Sequence, residues 1–198
     1  FLYGGLDNDS IDAGIGDDNV QGNEGNDTLN GQSGGDVLQG GDQNDVVFGG
    51  EGNDSVDGND GNDFLDGGFD HDTINGNGGD DEIHANDGSD LAHGNEGQDS
   101  IFGGQGGDQL FGDEGNDTIE GGDSDDIVSG GDGNDTLRGD DGAGLLSGND
   151  TIFGGFGADI IVAGFGNDSV EGNEDDDQMF GQQGNDIMRG GLGADSVE

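Results

Sequence analysis

The chain has 198 residues, of which 50 are Gly, 48 are Asp or Glu and only 2 are Lys or Arg, giving a formal charge of −46; Cys, Pro and Trp do not occur. This balance has the wrong sign for nucleic acid and for an anionic membrane surface, the missing Cys excludes a disulfide scaffold, and no run is long or apolar enough to span a bilayer. So few apolar residues with so much like charge is the composition of a disordered chain; a folded state needs counter-charge from outside, and multivalent cations have the right sign.

Order is nevertheless written into the chain as a period. Phe1-Leu2-Tyr3 reads as positions seven to nine of a nine-residue unit, and from Gly4 to Arg138 the period never slips through 15 units. Asp holds the sixth position: Asp9, Asp18, Asp27, Asp36, Asp45, Asp54, Asp63, Asp72, Asp81, Asp90, Asp99, Asp108, Asp117, Asp126 and Asp135. The eighth position is apolar, from Ile11, Val20 and Leu29 to Val128 and Leu137, and only Ala92 is small.

The sixteenth unit, 139–153, is longer than the rest and recovers the pattern at Asp150. Its extra residues fall near Asp141 to Leu146, in the loop half, where they are expected to bulge from one edge without breaking the stack. Five regular units follow over 154–198, with Asp159, Asp168, Asp177, Asp186 and Asp195. The whole therefore reads as one solenoid of 21 units. Repeat arrays normally carry caps, so it is expected to be a segment of a longer protein or to stack on something else.

Each unit divides in two. Positions one to six are mostly Gly, Asn, Asp and Gln, residues that tolerate positive φ or turns, so this half is expected to be a tight turn. Positions seven to nine predict a very short strand with its middle side chain inward. Two units make a coil of turn, strand, turn, strand, and coils stacked about 4.8 Å apart would give a rod of about 50 Å. Its core is two thin sheets of Val, Ile and Leu, too little to offset the backbone entropy of so much Gly.

Stacked turns bring the Asp of one coil above that of the next, two units on, and two such carboxylates repel. A hard divalent cation relieves the repulsion, and Gly carbonyls can complete an all-oxygen shell. Ca²⁺ suits such a flexible set of six to eight oxygens better than Mg²⁺ does, and zinc would call for His or Cys. At about one Ca²⁺ per unit, some 20 ions would bring about +40.

The stretch Gly49-Gly50-Glu51-Gly52-Asn53-Asp54-Ser55-Val56-Asp57 shows the pattern G-G-x-G-x-D-x-U-x, with U a large apolar residue. It resembles the RTX (repeats-in-toxin) nonapeptide, and the resemblance covers essentially the whole chain. It implies an all-β, right-handed parallel β-roll with Ca²⁺ in the turns, held at the sixth-position Asp residues. It also implies folding at the calcium concentrations found outside the cell, and type I export from Gram-negative bacteria. Asp7, Gln43, Asp70, Ser124 and Asp175 replace Gly at position four, which predicts altered geometry or weaker binding in those turns.

Other features read as surface. His71 lies in a loop, and His84 and His93 fall at position nine on opposite sheets, without convergent partners for catalysis or zinc. A carboxylate pair repeated at every turn is a lattice, not an active site, so no catalytic residue is assigned. Thr118 and Thr136 are the only Thr residues at position seven one coil apart on the same sheet, too few for an ice-binding ladder. The coil predicts cross-strand pairs Glu120 with Arg138 and Glu171 with Arg189, each worth about 0–1 kcal/mol when exposed. It also aligns Val46, Phe48, Phe64, His84 and Phe102 along one outer face, either as a stacked ladder or as a lateral contact with another chain. Phe156, Phe165 and Leu192, at position three, could serve similarly.

Two function classes remain. The length and purity of the array favour a calcium-riveted structural rod of a secreted surface layer, extracellular filament or adhesin, with self-association end to end or laterally. The alternative is the C-terminal secretion and folding block of an exported protease, lipase, epimerase or toxin.

Overall fold

The computed structural model describes residues 1–140 and 148–198 and is built of strands and turns alone. The strands run from β1 (Leu2–Gly5) and β2 (Ser10–Ile15) to β22 (Ser196–Val197). Odd-numbered strands form one 11-stranded sheet and even-numbered strands another, each in sequence order with parallel neighbours. The chain thus winds as a solenoid of about ten turns, two units to the turn: the parallel β-roll expected from the period. Register advances by two units from strand to strand throughout the regular part, as in Ile83↔Ile101 and Ala92↔Leu110.

The strands are longer than expected. Most have six residues, covering positions seven to nine and then one to three of the next unit, as in Phe64–Phe69 and Ser100–Gln105. Alternation along a strand explains the extension. If position eight points inward, so does position one, and the burial of successive residues alternates accordingly. Position one carries Gly or Ala, so its inward side adds little volume to the core. Only positions four to six are left for the turn.

The core is one continuous file. The position-eight residues from Val20 to Val170, with Met179, are at most 1% exposed, and Ala85 and Ala163 at position one join them. Burial on this scale contributes about 25 cal/mol per Å² of apolar surface. In most units position four turns the chain with positive φ, though Asp7 and Gly88 do not share it. Gln43, Asp70, Ser124 and Asp175 adopt φ of 77–84° there, positive as at Gly52 and Gly61, where φ is 119° and 153°. Those four departures therefore leave the handedness of the turn unchanged.

The insertion expected near 141–146 lies outside the described residues, but its effect on register is visible on both sides. Ser129 pairs with Phe153, and the hydrogen bond from Asp126 reaches forward to Asp150, a longer step than the two units that separate Asp108 from Asp126. Here β16 (Thr136–Arg138) stops after three residues and pairs with β18 (Ile160–Phe165) only as far as Val162. The buried carboxylate of Asp140 accepts the Phe165 N–H through Oδ2, standing in for the rungs β16 does not supply.

Both expected ion pairs form in register: Arg189 Nη1 lies 2.7 Å from Glu171 Oε1, and Arg138 Nη1 lies 3.8 Å from Glu120 Oε2. The aromatic file runs along its sheet, with ring centroids 5.9 Å apart for the tilted pair Phe48–Phe64, 5.3 Å for the tilted pair Phe64–His84 and 4.8 Å for the stacked pair His84–Phe102. His93 stacks on Phe111 on the opposite sheet.

Candidate metal sites

Each turn ends on the position-six Asp, whose backbone bonds to the following coil while its side chain reaches back to the preceding one. The Asp63 carbonyl accepts the Glu82 N–H at 2.9 Å, and the Asp63 N–H donates to Asp81 Oδ1 at 2.8 Å. The same side-chain bond recurs from Asp9–Asp27 to Asp177–Asp195. Successive Asp residues are therefore stacked as the sequence predicts. The space between them, however, holds an N–H···O bond and not two facing carboxylates. From Asp27 onward, one oxygen of each carboxylate is consumed in joining the coils.

The other oxygen, Oδ2, is left over. In seventeen position-six residues, from Asp27 to Asp177, it is buried and has no hydrogen-bond partner. These residues are at most 3% exposed, whereas Asp9, Asp18, Asp186 and Asp195 in the terminal coils are only half-buried. Isolated ionised carboxylates in such surroundings are among the most costly groups a protein can bury. Burial pushes them up: Asp45, Asp81 and Asp108 to about 7 and Asp126 to about 8. The backbone N–H bond pulls the other way, and neighbouring carboxylates add to the rise.

In the units that carry Gly at position one, the free oxygen points at that Gly. A methyl group built on Gly67 would lie 2.6 Å from Asp72 Oδ2 and 2.9 Å from the Ala85 carbonyl of the next coil. On Gly4 the corresponding distances, to Asp9 Oδ2 and the Gly22 carbonyl, are 2.7 and 2.8 Å. Carboxylate and carbonyl oxygens thus converge on a cradle that a side chain would fill. Among the described residues no three His, Cys, Asp or Glu side chains come together as a metal cluster. A cation here would take one carboxylate per turn and draw its other ligands from backbone carbonyls. That donor set fits a hard ion with many flexible oxygen ligands, as Ca²⁺ is.

A second file of side chains, not anticipated from the sequence, runs beside the first. At position five, Asn26 Oδ1 accepts the Asn44 N–H at 3.1 Å and Asn44 Oδ1 accepts the Asn62 N–H at 3.2 Å. On the other edge His71 takes part: its Nδ1 accepts the Ser89 N–H at 2.9 Å. These bonds point toward the following coil, opposite to those of the Asp file. The recurrence of Asn at position five was legible as a signal, but its direction was not. His84 pairs with Glu82 and His93 with Asp113, at 2.9 and 2.8 Å, and the three imidazoles do not converge.

Twin parallel sheets wound nine residues at a time, with an acidic file down each edge, define a β-roll whose turns carry oxygen-lined cradles. A family model, the RTX calcium-binding nonapeptide repeat (4 copies), matches residues 3–38, 21–56, 39–74, 57–92, 75–110, 111–146, 146–170 and 162–197. The chain belongs to that family, which implies calcium binding. No curated protein matches the chain.

Proposed function

We propose that this chain is a single 21-unit calcium-folded module, each ion held by the free Oδ2 of a position-six Asp and by turn carbonyls. The supporting observation is the set of seventeen buried Oδ2 atoms without partners, fifteen of them beside a backbone carbonyl in the glycine cradles. Without counter-ions a chain of charge −46 repels itself and leaves these oxygens unsatisfied. With about one Ca²⁺ per unit, both penalties fall together. The fold is then conditional on calcium, which suits a protein made in a calcium-poor compartment and used outside the cell.

On this reading the module is a rigid, non-catalytic rod of a secreted bacterial protein, in a surface layer, filament or adhesin. Exposed Phe69 on one sheet and exposed Phe156 and Leu192 on the other offer apolar contacts on both faces for lateral self-association of such rods. Circular dichroism against added Ca²⁺, with Mg²⁺ and chelator as controls, tests the folding claim. A disordered spectrum in chelator and a cooperative gain of β signal with Ca²⁺ are expected; an intact roll after exhaustive chelation overturns it. Sedimentation of the calcium-loaded chain, with and without Phe69→Ser and Phe156→Ser, tests self-association.

A further inference from the structure

The turns are not equivalent. Eighteen of the 21 units carry Gly at position one, but Ala13, Ala85 and Ala163 stand at the others. In the glycine units a Cβ would lie no more than 2.7 Å from Oδ2 of the unit's own Asp, closer than real Cβ atoms approach an oxygen. In the alanine units that methyl is present. Ala85 and Ala163 are fully buried core residues, and Oδ2 of Asp90 and of Asp168 is buried without a hydrogen-bond partner.

The other half of each of these turns is undisturbed. Asp90 Oδ1 accepts the Asp72 N–H at 2.8 Å, and Asp168 Oδ1 accepts the Asp150 N–H at 2.9 Å. The coil-joining role of the carboxylate is therefore separate from its cradle, and the methyl acts on the cradle alone. Resting on the calcium reading above, we propose that position one selects which turns take an ion. Gly leaves the cradle open to Ca²⁺, and Ala85 and Ala163 close it at Asp90 and Asp168. These two turns are spacers in the ion file, packed by a methyl group where their neighbours are packed around a cation.

Gain of an ion is the decisive readout. Ala85→Gly is expected to take up one more Ca²⁺ per chain than wild type in equilibrium dialysis, and Ala85→Gly with Ala163→Gly two more. Gly94→Ala, which closes the cradle at Asp99, is expected to lose one. A purely structural role for Ala85 gives the opposite sign in folding, because Gly in a strand raises the entropy lost on ordering. It would raise the calcium needed at the folding midpoint, where the cradle reading lowers it. Unchanged stoichiometry in Ala85→Gly, or a higher calcium midpoint, overturns the proposal, whether or not Gly94→Ala folds. A wild-type chain that takes up no calcium overturns both readings, whereas a wild type that binds calcium and an Ala85→Gly variant that gains none overturns this one alone.

Discussion

Asp81 and Asp99 occupy equivalent places in successive coils, and the N–H of Asp81 donates to Oδ1 of Asp99 at 2.8 Å. The bond gives Asp99 two separable duties: Oδ1 joins the coils, and Oδ2 is left buried beside the Gly94 cradle. Asp99→Asn preserves the first oxygen and replaces the second with an amide NH₂, a donor that cannot ligate a cation. Loss of one bound Ca²⁺ is expected, with β structure retained at saturating calcium. Taking extracellular-type affinities of about 10⁻⁴ to 10⁻³ M, one lost site costs about 1.4–2.7 kcal/mol at roughly 10 mM calcium. Calcium-loaded thermal or denaturant unfolding measures it, and an unaltered ion count would refute the assignment.

The ion-free chain should respond to pH in the sense opposite to a salt-bridged protein. Burial raises the folded-state values of Asp45, Asp81 and Asp108 from 3.8 to about 7, and of Asp126 to about 8. A carboxyl raised on folding binds its proton more tightly in the folded state. Its contribution to stability is complete below the unfolded value near 4 and lost as pH rises through the folded value. In chelator, then, β signal is expected near pH 4 and should fade across about pH 6–8. Calcium should abolish the loss at neutral pH, and protons competing for the same carboxylates should raise the calcium requirement as pH falls. Ellipticity mapped against pH and calcium checks both slopes.

The position-five file makes a separate contribution. Asn62 Oδ1 accepts the Asp80 N–H at 3.1 Å on an exposed edge. Asn62→Ala should cost about 0.5–1.5 kcal/mol without changing the number of ions bound. An altered calcium stoichiometry in this variant would mean that the two files are not independent.

Asp140 stands where β16 ends, and its carboxylate takes the Phe165 N–H. Asp140→Ala leaves that part-buried donor without its acceptor, at a cost of about 1–3 kcal/mol. Asp140→Asn keeps an acceptor oxygen and should cost less. Hydrogen exchange at Phe165 gives the local readout: fast exchange in the Ala variant and protection in the Asn variant are expected.

Much of the architecture is readable from the period alone. A nine-residue repeat with one apolar site and a coil of two units leaves a single register, which is why Glu171 meets Arg189 and Phe102 follows His84 as counted along the chain. The same arithmetic stacks Asp on Asp along two edges. What counting could not supply is direction. Whether a carboxylate oxygen faces its counterpart, a backbone N–H or a glycine cradle depends on side-chain geometry between coils, and a repeat pattern carries no such information. That is why the strands proved longer than three residues, why Asn44 bonds forward while Asp45 bonds back, and why Ala85, conservative on paper, occupies the space its neighbours leave open. Composition and period determined that this acidic chain would wind into a roll needing counter-charge. Only the packing of one coil on the next decided which oxygen of each Asp was left to meet it, because the backbone N–H of the preceding coil claims the other.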